Sequence, residues 1–221
     1  MGNKRLQLDA LEGIIFDIDG VLVDTEYFQW QGWVEVLTPL GKTVSQMEYL
    51  KYAGKRGDII ESELIQDFNL PISKNELLSQ KEKLLIEWFH SKSLKLMPFA
   101  EEAVQYFQKK RYKLACASGS PRNEALLKLK KTGLFPLFHN VVSGSDVKRG
   151  KPFPDIYLHA ADSLGLSPAT CLAFEDTQYG VESAKAAGLF CFAIPNEFSQ
   201  KQDFSKADGI FKNLKEAIAS L

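Results

Sequence analysis

The sequence predicts an α/β fold, a doubly wound parallel-sheet (Rossmann-like) core interrupted by an inserted α-helical domain. Three observations predict it. Short unbroken apolar runs such as Gly13-Ile14-Ile15-Phe16 suit strands covered on both faces, which show no polar alternation. From Pro98 to the end, such runs alternate with helical periodicity, the pattern of crossover connections in a parallel sheet. Between about Thr25 and Leu96 no strand pattern occurs. The expected division is therefore a core of residues 1–24 and 97–221 with a helical cap over 25–96.

The first strand runs directly into Asp17. In the insert, Tyr27, Trp30, Val34 and Leu37 recur at helical spacing, as do Ile60, Leu64, Ile65 and Phe68. Pro39-Leu40-Gly41 and Asn69-Leu70-Pro71 interrupt these helices. Ser73-Lys74-Asn75-Glu76 reads as a capping box opening a further helix, with Leu77, Leu78, Leu84, Leu85, Trp88 and Phe89 on one side. In the third stretch a helix bearing Ala103, Val104 and Phe107 leads to a strand at Lys113–Ala117. A helix opening at Pro121 and stopping before Gly133 follows. Next come a strand at Val141-Val142, a helix over Asp155–Leu164, a strand at Cys171–Phe174, a helix over Gly180–Ala187 and a strand at Phe190–Ile194. Gly209-Ile210-Phe211 reads as a short edge strand before a last helix.

Bulk composition narrows the partners. Lys+Arg 27 against Asp+Glu 28 gives a net charge of -1, so no nucleic-acid or anionic-membrane surface is expected. Cys116, Cys171 and Cys191 are widely spaced within apolar runs and read as core residues of a reducing cytoplasm. No run reaches transmembrane length. Met1–Leu11 lacks a signal-peptide core, and Leu6 breaks the myristoylation pattern that Gly2 would begin. A cytoplasmic monomer is expected.

Four segments carry chemistry. In doubly wound sheets ligands bind beyond the carboxyl ends of the strands, and Asp17, Ser118 and Glu175-Asp176 each sit at such an end. Asp17 and Asp19, two apart on extended backbone, project to one side, and Gly20 lets the chain turn after them. One carboxylate can attack phosphorus while the other handles protons; the bland alternative is an Asx-type turn. Ser118-Gly119-Ser120 opens a helix and suits an anion, with Ser118 as the phosphate contact and Ser120 mainly a cap. Lys151, mounted before Pro152-Phe153-Pro154, is placed to neutralise phosphate oxygens and hold Asp17. Glu175-Asp176 suit a hard divalent cation, Mg²⁺, against the alternative of acids favoured at a helix N-terminus. Lys55, Arg56 and Arg122 are further candidates for substrate contact or simply solvated charges.

Asp17-Ile18-Asp19-Gly20-Val21-Leu22-Val23-Asp24-Thr25 closely resembles the opening motif of the haloacid dehalogenase superfamily, in its β-phosphoglucomutase-like branch. Ser118, Gly150-Lys151-Pro152-Phe153-Pro154-Asp155 and Phe174-Glu175-Asp176-Thr177 through Ala186-Ala187-Gly188 match the later motifs in order. The resemblance implies Asp17 as nucleophile, Asp19 as general acid/base, and Ser118, Gly119 and Lys151 around the phosphoryl group. It implies Mg²⁺ held by Asp17, the Asp19 backbone and Asp176, with Glu175 assisting. It also implies a cap that closes over a small phosphorylated metabolite. Mutases of the branch carry a His five residues after the position of Asp24, where this chain has Gln29. The Arg of Gly54-Lys55-Arg56-Gly57-Asp58 is also at a different offset, and Thr177 stands where Ser is usual. The expectation is a Mg²⁺-dependent phosphatase acting on a sugar or polyol phosphate. The alternatives are a β-phosphoglucomutase-type mutase, a phospho-receiver or binding module, and a metal-free dehalogenase.

Overall fold

The computed structural model describes residues 10–221. The signal-peptide and myristoylation readings rest on residues 1–9, outside the described residues. In chain order, β1 (Gly13–Phe16) leads to α1 (Glu26–Leu37), α2 (Gln46–Tyr49), α3 (Gly57–Phe68), α4 (Glu76–Ser91) and α5 (Ala100–Lys109). There follow β2 (Lys113–Ser118), α6 (Arg122–Lys131), β3 (Asn140–Ser143), α7 (Asp155–Ser163) and β4 (Cys171–Glu175). The chain ends with α8 (Gln178–Ala186), β5 (Phe190–Ala193), β6 (Gly209–Ile210) and α9 (Leu214–Ala219). The six strands form one parallel sheet in the order β3-β2-β1-β4-β5-β6, with β1 between β2 and β4. Chain order reverses about β1, so the carboxyl ends of β1, β2 and β4 lie side by side at the switch point, where such sheets bind ligands.

Register sorts side chains by size onto the two faces. Ile14 aligns with Leu114 and Leu172, and Phe16 with Cys116 and Phe174, on a face covered by α5, α6 and α9. The rings of Phe16 and Phe174 stack with centroids 5.1 Å apart, and Phe107 from α5 meets both. The opposite face is small. Ile15 aligns with Ala115 and Ala173, with Cys171, Cys191 and Ala193 nearby, and α7 and α8 seat Ala160, Ala161 and Ala184 against it. All three cysteines are buried free thiols, as expected.

The helices over 26–91 enclose a separate buried cluster around Trp33, Leu37, Tyr52, Leu64 and Leu77, joined from the sheet side by Phe198. The two ends of this stretch are stitched together: the Asp24 amide donates to the Lys95 carbonyl and the Met97 amide to the Leu22 carbonyl, both at 2.9 Å. Its helices stand where the periodicity predicts, but the buried face of α1 differs. Trp33 and Val36 point inward while Tyr27 is exposed, because packing on α4 sets the rotation of the helix.

Helix starts differ more. Ser73 does not cap α4; Asn75, in the left-handed region at φ 71°, occupies the cap position. The free amides of Asn75 and Leu78 donate instead to the buried carboxylate of Glu61 on α3, at 2.7 and 3.0 Å. A residue fourteen positions away thus does what a local Ser would do. The reciprocal Ser45/Glu48 box that opens α2 went unread in the sequence. Pro121 precedes α6 as its cap residue, and Ser120 caps nothing there.

Glu61→Ala is expected to remove two charge-assisted bonds and lower stability by about 2 kcal/mol. For a chain of this size that lowers the melting temperature by roughly 4–8 °C, with Glu61→Gln losing about half as much. An unchanged melting curve for the alanine variant would refute the capping role.

Candidate active site

The chain leaves β1 at Asp17 and turns at once. The Leu22 and Val23 amides both donate to the Ile18 carbonyl, and Gly20 adopts φ +74°. A Cβ on Gly20 would lie 2.1 Å from the Asp176 Oδ2, so only glycine lets the turn lie against the acid at the end of β4. Carboxylate oxygens of Asp17, Glu175 and Asp176 consequently come within 4.8 Å of one another, all buried.

Lys151 answers part of this crowding. Its ammonium lies 3.0 Å from Asp17 Oδ1 and 2.5 Å from Glu175 Oε1. Glu175 is fully engaged: Tyr157 donates to Oε1, Thr177 approaches Oε2 at 3.5 Å, and the carboxylate rests against Gly180 in the first turn of α8. Asp176 Oδ2 accepts from Asn196 at 2.7 Å, but its Oδ1 is buried and accepts no hydrogen bond from the described residues. Asp17 Oδ1 likewise has ion-pair contact with Lys151 at an angle outside hydrogen-bond geometry. Burial pushes Asp17 up to about 8 against the pull of Lys151, with the charges of Glu175 and Asp19 adding. Burial, and then Glu26 and Asp17, raise Asp176 well above the usual carboxylate range.

These residues fit a divalent cation. Among the described residues two buried carboxylate oxygens here receive no hydrogen bond, every candidate ligand atom is oxygen, and the acids are short of positive charge; that is the ligand chemistry of Mg²⁺. Asp17 and Asp176 are the residues with oxygens to offer.

Asp19 is held quite differently. Its Oδ1 accepts from Thr25 and, at 2.5 Å, from Lys128; its Oδ2 accepts from Ser118 at 3.2 Å and Ser120 at 3.0 Å. Burial opposes ionisation, but Lys128 and these donors hold Asp19 below the ordinary carboxylate range. Lys128 is itself fully buried, bonded to Glu124 one helical turn earlier at 2.5 Å and to Ser120 at 3.0 Å. Glu124 also accepts from the Gln29 amide at 3.0 Å, and Gln29 accepts from the buried Lys81 of α4 at 2.5 Å. A continuous polar chain therefore runs from α4 through α1 and α6 to Asp19.

A cavity of about 290 Å³ opens between the sheet edge and the helices of 26–91, lined by Asp17, Asp19, Gly119, Ser120, Lys151 and Asp176 below. Lys55, Arg56, Asp58, Lys81, Glu26 and Glu82 line it above. Burial and the nearby Asp19 charge push Glu26 up to about 7. Asp17, Lys151, Glu175 and Asp176 thus converge as the sequence suggests. Ser118 is fully buried and turned to Asp19, while Ser120 faces the cavity. Arg56 reaches the cavity already paired with Asp58, and Arg122 lies outside the lining, bonded to Asp146 and the Val141 carbonyl.

Sequence reasoning missed Thr25, Glu124, Lys128, Tyr157 and Asn196. For Lys128 a signal existed: Glu124 and Lys128 share with Ala125 and Leu129 the helix face that must turn inward. Lys81 similarly interrupts the apolar series Leu77, Leu85 and Phe89.

Comparisons with known proteins bear on this site. A family model described as haloacid dehalogenase-like hydrolase matches residues 11–188. A phosphorylated carbohydrates phosphatase of Thermotoga maritima is 35% identical over 184 residues, covering 81% of this chain and 82% of its own. The crystal structure of a putative β-phosphoglucomutase from Thermotoga maritima superposes with TM-score 0.73 at 29% identity, covering 95% of this chain and 98% of the other. CbbY from Rhodobacter sphaeroides, in complex with phosphate, shares the fold at TM-score 0.84 and 23% identity, over 93% and 96% of the two chains. The sheet order, the acids at the β1 and β4 ends and the family match agree: this chain belongs to the haloacid dehalogenase-like hydrolases.

Proposed function

We propose that this hydrolase is a Mg²⁺-dependent phosphatase of small sugar or polyol phosphates, working through an aspartyl phosphate on Asp17. The observation that carries this reading is the division of labour between two neighbouring aspartates. Asp17 lies with the acids that suit a metal, and Asp19 lies in a separate set of proton donors. The name of the Thermotoga maritima phosphatase supports the substrate class. Residues 25–96 are proposed as the cap over the cavity and the remainder as the phosphotransfer core.

Bound Mg²⁺ would be held by Asp17, the Asp19 backbone and Asp176, and would neutralise phosphate oxygens beside the nucleophile. In the first step a carboxylate oxygen of Asp17 bonds to phosphorus as the ester P–O bond breaks, and Asp19, ionised at rest, relays to the departing alcohol oxygen the proton that the ester brings as its monoanion. Lys151 and the Gly119-Ser120 turn line the cavity and would hold the phosphoryl oxygens. In the second step Asp19 takes a proton from water whose oxygen attacks phosphorus, and Asp17 leaves with phosphate freed. Glu175 acts by fixing Lys151. Lys128, Thr25, Ser118 and Ser120 orient Asp19.

Gln29 favours hydrolysis over the mutase alternative. Its amide is committed to Glu124 and Lys81 and cannot exchange protons near neutral pH as a His could. Incubation with β-glucose 1-phosphate is expected to release inorganic phosphate without a bisphosphate activator. Glucose 6-phosphate forming faster than phosphate would restore the mutase.

Two variants test the assignments. Asp17→Asn, with its fold checked by circular dichroism, is expected to lose at least about 10³-fold in turnover, because an amide oxygen is a poor nucleophile. A folded variant with full activity would remove Asp17 as the nucleophile. Asp176→Asn is expected to raise the Mg²⁺ concentration for half-maximal activity at least about tenfold, a charge having been removed from the ligand set. An unchanged metal requirement would place the ion elsewhere.

A further inference from the structure

The cations that line the cavity decide what the alcohol part of the substrate can carry. On the core side Lys151 is held between Asp17 and Glu175. On the cap side Lys55 is paired with Glu63 at 2.7 Å, turned back along its own helix pair. Lys81 donates to Gln29 and stands 5.0 Å above the Trp33 ring. Arg56 is the most completely committed. Its Nε and Nη2 bind the two Asp58 oxygens at 2.8 and 3.0 Å, and its Nη1 donates to the Lys148 carbonyl at 3.3 Å. Its stem also lies against Gly150, where a Cβ would come within 2.2 Å of the Arg56 Cδ. A bidentate Asp is the partner that best mimics a phosphate for a guanidinium, so Asp58 fills the place a second phosphate would take. Meanwhile Glu26 and Glu82 also line the cavity and accept no hydrogen bond from the described residues.

Resting on the phosphatase reading above, we propose that Asp58 makes the enzyme selective for monophosphates whose alcohol part is polyhydroxylated and carries no second anion. Hydroxyls of such a substrate donate to the Glu26, Glu82 and Asp58 carboxylates. A second phosphoryl group finds Arg56 already neutralised by Asp58 and Lys55 by Glu63, so its charge goes unpaired among acidic side chains and it is rejected on charge rather than on size.

The test uses p-nitrophenyl phosphate as reporter with Mg²⁺ in excess. Inhibition constants are measured for fructose 1-phosphate, fructose 6-phosphate and fructose 1,6-bisphosphate. The bisphosphate is expected to bind at least about tenfold more weakly than the better monophosphate. Asp58→Asn frees the guanidinium and is expected to narrow that ratio at least about threefold, and Arg56→Gln added to it should reverse the gain. A bisphosphate that binds wild-type enzyme as tightly as the monophosphates would overturn the inference, as would a ratio unmoved by Asp58→Asn. So would the absence of inhibition by either monophosphate. Failure to hydrolyse p-nitrophenyl phosphate or any other ester would instead overturn the phosphatase reading itself, so the two failures are told apart.

Discussion

Asp17, Glu175 and Asp176 are buried within reach of one another, and two unit charges about 4 Å apart repel by about 4 kcal/mol even at an effective dielectric of ~20. Such a cluster persists only where cations stand among the acids. Lys151 supplies one, bridging Asp17 and Glu175; burial above all, with the neighbouring acids adding, still raises the pKa of Asp17 and Asp176. The neighbouring turn repeats the arrangement with a second buried lysine, Lys128, between Asp19 and Glu124. Removing either lysine would strand buried carboxylates, at a cost of roughly 3–5 kcal/mol. The rest of the architecture can be understood as what holds these two ammonium groups in place: the small face of the sheet that lets α7 bring Tyr157 to Glu175, and α6, whose inward face carries Lys128.

The helices of 26–91 share in both functions. Gln29 and Lys81 extend the Asp19 network upward through Glu124, so Asp19 is in hydrogen-bond continuity with the helices over the cavity. The loop at 53–57 seats on the other side of the cavity: a Cβ at Gly54 would meet Thr177 at 2.7 Å, and Gln202 donates to the Ala53 carbonyl. Arg56, in the same loop, grips the backbone just before Lys151. At the cavity the helices of 26–91 and the sheet are thus joined by short polar contacts.

Much of this was legible in the sequence because strands covered on both faces leave unbroken apolar runs, and the chemistry sits at their carboxyl ends. Asp17, Glu175 and Asp176 could be found that way, and Lys151 by its mount before Pro152-Phe153-Pro154. Ser118 was expected at the cavity and Ser120 at a helix cap, yet Ser120 is the one that faces the cavity, because which hydroxyl does so depends on the turn geometry after β2. The helix start at Glu76 was misread because a buried carboxylate on another helix, Glu61, takes the amides that a local Ser was expected to take. Lys128 and Glu124 were passed over for a related reason. A charged pair one turn apart reads as solvated surface unless the neighbouring Ala125 and Leu129 are seen to face the sheet. The commitment of Arg56 to Asp58 was equally invisible, because residue types at two positions do not reveal which partner a guanidinium chooses.

The most direct measurement is chemical trapping of the phosphorylated side chain. Enzyme mixed with Mg²⁺ and a turned-over phosphate ester is quenched in acid within milliseconds, reduced with borohydride, digested and sequenced by mass spectrometry. Borohydride converts an aspartyl phosphate to homoserine and leaves free aspartate unchanged. Homoserine at position 17, absent when substrate is omitted, is the expected result. Steady turnover with aspartate intact at 17, or homoserine at 19 or 176 instead, would contradict the roles assigned to these carboxylates.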